Sequence, residues 1–268
     1  MNFKLLSLFT AYFFAVYLCL GPPKVVQVPP MIWWSSLSTA TALAFLYATF
    51  HKKCKASRLQ GFSQVVCFCY MHRAIFMHCT VERDCFWDFP LCSPLWGRTV
   101  ACTGELTFVY MASRELLENT KLSNIIVFLI SIAQTISFIG VMKKHYLWFF
   151  FENSIWTVCA FCMAAYLFLY NSRQKYIKVP YILLCFVVYN VVEDLPMYLK
   201  RHAEKTHLHG YNIGIIDGAL DAMTCNIVSQ SNKIWSPQML WQTLNYTTVP
   251  VASILFTYSV QEKKSKPY

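Results

Sequence analysis

Leu95–Ser113 reads LWGRTVACTGELTFVYMAS, and it holds Arg98 and Glu105 inside an apolar run long enough to cross a bilayer. Seven residues apart on a helix, these two side chains lie within about 20° of one face. Ionisable groups inside a spanning segment are costly, so they turn toward a protein interior or a wet cavity. The stretch therefore raises two questions: how many similar runs the chain has, and which other charges lie at the same depth.

Other apolar runs of about 18–24 residues recur through the 268-residue chain, close to the ~20 residues that a spanning helix needs. Hydrophobic residues make up 56% and charged residues only 13%, and the mean hydropathy is +0.40. No ordinary soluble domain has this composition. The sequence predicts an all-α, polytopic transmembrane helix bundle with seven or eight spans. The net charge of +10 does not indicate nucleic acid, because the basic residues sit in short loops between apolar runs and no RNA- or DNA-binding motif accompanies them.

Residues 1–30 form an N-terminal apolar segment ending in a Pro-rich linker. This segment reads either as a cleaved signal peptide or as a retained first span, the second slightly favoured. Residues 31–268 form the bundle, with expected spans at 31–50, 62–79, 95–112, 122–141, 147–170, 179–199 and 239–260. Trp33 and Trp34 are placed as interfacial anchors. The segment at 200–238 is the longest outside the spans and includes a short helix around Asp217–Asp221. Lysines and arginines concentrate in alternate loops, so both termini are expected on the cytoplasmic side and residues 200–238 on the other.

The buried charges can then be placed by depth at ~1.5 Å per residue. Arg73, Arg98, Glu105, Glu152, Glu193 and Asp194 all fall ~6–16 Å below the non-cytoplasmic surface. Four helices aiming charges at one level read as a lined pocket, open to that side and binding or converting a small anionic or lipid-like molecule. Arg73 and Arg98 would hold the anion through their planar forks, and Asp217 would reach the site from the capping loop. Glu105, Glu152, Glu193 and Asp194 would supply acid–base catalysis. In a proton-coupled transporter or channel the same carboxylates would be proton sites. In a structural subunit the charges would meet partner helices, and Arg–Glu pairs can also simply pin a bundle together.

Other chemistry finds less support. His72 and His78 with Glu105 and Glu152 lack the spacing of a membrane metal site, and adjacent arginines disfavour a cation, so no metal ligand is assigned. Cys159-x-x-Cys162 lies mid-helix without a second pair, and most cysteines in the apolar runs read as small buried side chains. Cys79, Cys85 and Cys92 could contribute one disulfide. Asp217 and Asp221 share a helix face, as magnesium-binding aspartates do, without the rest of a phosphotransferase pattern. No nucleophile elbow, phosphate-binding loop or dinucleotide fingerprint is present, and no cofactor is indicated.

Arg73, Glu82-Arg83-Asp84-Cys85, Gly97-Arg98-Thr99-Val100-Ala101 and Glu105-Leu106 resemble a pattern in a polytopic membrane-protein family of microbes and algae. Glu193-Asp194-Leu195-Pro196-Met197-Tyr198 and the Asp217-Gly218 helix are similar to its second half, so the likeness spans roughly residues 65–260. No established activity comes with that family, so the resemblance marks positions and implies no reaction. Gln242 stands where the pattern would carry an acid.

Overall fold

The computed structural model describes residues 30–50, 58–76, 84–85, 90–117, 119–170, 178–205, 211–224, 226–227 and 244–257. The described chain is helical, apart from a two-residue parallel pairing of Asp84-Cys85 with Asn226-Ile227. The expected N-terminal segment, the Trp33–Trp34 anchors, Gln242 and residues 206–210, 225 and 228–238 of the 200–238 loop lie outside the residues or side chains described. The chain divides into two compact units, with the boundary inside one helix.

The first unit holds α1 (Pro30–Phe50), α2 (Arg58–Ile75), the first part of α3 (Pro94–Leu116) and α9 (244–257). Ser93 caps α3, its hydroxyl accepting the Trp96 N–H at 3.4 Å, and Pro94 sits in the first turn where a missing N–H costs nothing. Phe45 and Ala48 of α1, Cys67 and Met71 of α2 and Ile254 of α9 form one buried cluster. Small polar groups line the α2–α9 seam. Ser63 and Ser253 hydroxyls are 3.1 Å apart, and the Cys67 thiol is directed at the Pro250 carbonyl. Small side chains of this kind let two helices approach closely.

The second unit holds the end of α3, α4 (Thr120–Lys143), α5 (Tyr146–Tyr170), α6 (Val179–Tyr189), a π turn (Asn190–Asp194), α7 (Leu195–Lys205) and α8 (Ile215–Asp221). The Asn119 side chain starts α4 by accepting the N–H groups of Lys121 and Leu122. Lys144, left-handed at φ 53°, ends it. The α4–α5 hairpin is tight because Gly140 has no side chain: a Cβ there would meet Trp148 and Phe149 at 3.0 Å.

Three helices are long and apolar enough to cross a membrane: Thr120–Lys143, Tyr146–Tyr170 and Val179–Glu204, with mean hydropathies of 2.3, 1.4 and 1.6. The third is continuous through its π turn. Pro196 has no N–H to donate and its ring crowds the carbonyl four residues earlier, so the helix widens instead of breaking, and Leu195 N–H bonds the Asn190 carbonyl.

Seven or eight spans were expected, and three pass the test of length and apolarity among the described residues. The helices that fall short lie close to their expected positions. α2 carries His72 and Arg73 in its last turn, α3 carries Arg98, Glu105 and Arg114, and α9 is described over 244–257 only.

Candidate functional site

In the first unit, α2 and α3 approach so closely that a Cβ on Gly104 would stand 2.7 Å from the Cys69 Cβ. One turn beyond Cys69 comes Arg73, and one residue beyond Gly104 comes Glu105. The close approach therefore brings the guanidinium to the carboxylate: Arg73 Nη1 donates to Glu105 Oε1 at 2.8 Å. Arg98 Nη2 lies 3.7 Å from the other oxygen, Glu105 Oε2. Both arginines and the glutamate are largely buried, their side chains 17%, 8% and 13% exposed for Arg73, Arg98 and Glu105.

The Arg73 guanidinium also lies over two aromatic rings, 5.1 Å from the centre of Tyr246 and 5.8 Å from Tyr70. The rings meet edge to face at 5.5 Å, and the Tyr70 hydroxyl donates to Asn245 Oδ1 at 3.5 Å. Arg73 is thus fixed by an ion pair and two cation–π contacts, while its Nε is buried without a hydrogen-bond partner. Beside it, buried His72 accepts the Trp96 indole N–H through Nε2 at 3.3 Å. Tyr70 and Tyr246 were not singled out from sequence, although Tyr70 stands one helical turn before Arg73.

The remaining expected site residues lie in the second unit. Glu152 is buried on α5, Asp194 is buried in the π turn, and Glu193 next to it is half-buried. Phe149 stacks on Tyr198 at 5.9 Å, and Arg201 lies 5.7 Å over Tyr146. The same antiparallel register carries Glu152, one turn further along α5, to the level of the π turn. Asn190 is fully buried, and among the described residues neither its amide nitrogen nor its oxygen has a hydrogen-bond partner. Sequence reading noted Asn190 as a polar group in the span but gave it no role.

Asp217 is exposed on α8. The residue that matters structurally in the Asp217-Gly218 pair is the glycine, since a Cβ on Gly218 would fall 1.6 Å from the Met142 carbonyl oxygen. Asp221 pairs with Lys144 at 2.9 Å, so the two aspartates of α8 differ in surroundings. Burial pushes the pKa of the Cys92 thiol up to about 12, while Cys79 and the Cys85 side chain, the other cysteines of the expected disulfide, lie outside the described residues. Among the described residues no three His, Cys, Asp or Glu side chains gather as metal ligands.

No family model, curated protein or solved structure matches the chain.

Proposed function

We propose that the chain is a membrane protein of seven or eight spans whose Arg73–Glu105–Arg98 cluster seats the anionic head of a small, lipid-like molecule. On this reading both termini are cytoplasmic and the seat opens to the opposite half of the bilayer. The observation that carries it is one carboxylate held between two guanidiniums, at 2.8 and 3.7 Å, in a largely buried site beside two tyrosine rings. Guanidinium forks match carboxylate and phosphate oxygens, and the three groups together sum to one positive charge. The buried Arg73 Nε keeps a donor to offer. Aromatic side chains nearby suit the apolar part of an amphipathic guest.

Both Glu105 oxygens are already engaged by arginines, so its part is to orient the forks, and the cluster supports binding more directly than turnover. The apolar exposed residues of the long helices, among them Phe128, Val158, Phe161, Ile182, Val188 and Val192, support a lipid surround. Only 11% of the most apolar window of Val179–Glu204 is buried, and Asn190 and Asp194 are among its buried residues. A helix with polar groups inward and valines outward suits lipid, not water.

The test is equilibrium binding of dye-labelled dodecyl phosphate to protein purified in neutral detergent. Wild type should bind it and ignore the neutral dodecyl alcohol analogue, and Arg98→Gln should weaken binding roughly tenfold or more, the loss of one charge-assisted contact. Equal binding of both probes, or unchanged affinity in Arg98→Gln with a normal melt, would reduce the cluster to a helix clamp.

A second reading, proton-coupled transport, is favoured by the buried Asn190 and Asp194 at a π turn inside an apolar helix. It requires pH-driven flux in proteoliposomes that Asp194→Asn abolishes, and flux unaffected by that change removes it.

A further inference from the structure

At the head of the second unit, where α4 turns into α5, the 211–224 segment docks on the turn through hydrogen bonds. Tyr146 N–H donates to the Tyr211 hydroxyl at 3.1 Å, and that hydroxyl lies 2.8 Å from His202 Nδ1. The Tyr211 oxygen, which accepts from Tyr146, keeps a second lone pair and its own proton, so it donates to His202 Nδ1 or accepts from it according to the imidazole tautomer. Leu147 N–H donates to His145 Nδ1 at 3.2 Å, so that imidazole is used as a neutral acceptor. The three rings form one cluster, His145 stacked on Tyr211 at 4.9 Å and tilted against His202 at 4.9 Å.

The surroundings are positively charged. The α4–α5 turn brings Lys143 and Lys144, α7 brings Arg201, and the docked segment brings Asp221, already paired with Lys144, and exposed Asp217. Lys143 Nζ donates to Asn212 Oδ1 at 3.5 Å, tying the turn to the segment. Asn212 itself takes a left-handed φ of 57°, as does Lys144 at 53° on the facing turn. Gly218 lies hard against the Met142 carbonyl. The segment is thus held by a few specific contacts, and two of its partners are imidazoles.

We propose that His145, with His202 and Tyr211, is a proton-binding latch that holds the 211–224 segment on the α4–α5 turn while neutral and lets it go when protonated. A proton on His145 Nδ1 replaces an acceptor by a donor facing the Leu147 N–H. It also puts a charge against His202 and among Lys143, Lys144 and Arg201. Burial pushes the pKa of His145 below the ordinary histidine value, with His202 and Lys143 adding to the effect. A docked form with a lowered pKa has its full stability above the ordinary value of about 6.5 and loses it as pH falls below that.

Hydrogen exchange read by mass spectrometry on the intact protein, corrected for the intrinsic pH dependence of exchange, tests this from pH 8 to pH 5. The 211–224 amides should lose about tenfold in protection between pH 7 and pH 5, at most one decade per unit for one proton, while the interior of α4 and α5 stays protected. His145→Asn places a non-titrating oxygen near the Nδ1 position, and should keep the segment docked and abolish the acid response. Tyr211→Phe should release the segment already at pH 8. Protection unchanged at pH 5, a full acid response in His145→Asn, or loss spread equally through α4 and α5 would each overturn the latch.

Discussion

The two units differ in the kind of polar group they bury, although each also buries polar atoms that have no hydrogen-bond partner among the described residues. In the first, Arg73, Arg98 and Glu105 bind one another, and Arg73 rests on two tyrosine rings. In the second, Asn190 is buried in an apolar helix with neither amide atom hydrogen-bonded among the described residues. A satisfied buried charge holds its helices together, and removing one partner strands the other. An unsatisfied buried amide costs stability where it stands and persists where something other than stability keeps it. The difference teaches that the first unit's charges are structural as well as functional candidates, whereas the polar turn of the second is explained poorly by stability alone.

Substitutions can break or sharpen this contrast. Arg73→Ala should have the largest effect, a loss of about 3 kcal/mol, because it leaves Glu105 buried beside a weaker partner. In hydrogen exchange the loss should fall on α2 and α3 and spare the α4–α5 hairpin. Gly218→Ala should cost about 2 kcal/mol by forcing α8 off the Met142 carbonyl, read as lost protection of 211–224. Asn190→Leu should go the other way and raise stability by about 1 kcal/mol in a thermal melt, since it removes an orphaned donor and acceptor at similar volume. A loss of stability there would mean that Asn190 is satisfied and the contrast false. Asn119→Ala should cost about 1 kcal/mol, the worth of an N-cap, and should be felt only at the start of α4.

Much of the first unit's site was legible in the chain. Arg98 and Glu105 share a helix face by spacing alone, and Arg73 joined them through a depth estimate, which needs only span boundaries and the helical rise. Tyr246 was not legible as a partner of Arg73, because 173 positions separate them and only the packing of α9 onto α2 brings them together. Gly218 was noted beside Asp217 as part of an acidic motif, yet its value lies in having no side chain, a requirement set by a carbonyl 76 residues away. Pro196 was visible, and a break could be imagined there. That the helix continues through a π turn depends on the Leu195 N–H reaching the Asn190 carbonyl, a backbone bond that residue types alone do not announce.

Helix positions were more legible than membrane crossing. α2 and α3 fall near their expected places because apolar runs set off by polar loops locate helices well. Their apolarity is diluted by the same arginines and glutamate that form the cluster, so the helices long and apolar enough to cross a membrane are those of the second unit.

The central claim is that the Arg73–Glu105–Arg98 cluster receives an anion. It is tested most directly by the thermal melt of the purified protein as dodecyl phosphate is titrated in. A ligand that binds the folded state raises the melting temperature with the logarithm of its concentration above Kd. The account predicts such a rise in wild type, none with dodecyl alcohol, and in Arg98→Gln, whose ligand-free melt should remain cooperative, a rise that needs roughly tenfold more ligand or more. A rise of equal size in Arg98→Gln, or no rise in wild type at any concentration below micelle formation, would contradict it.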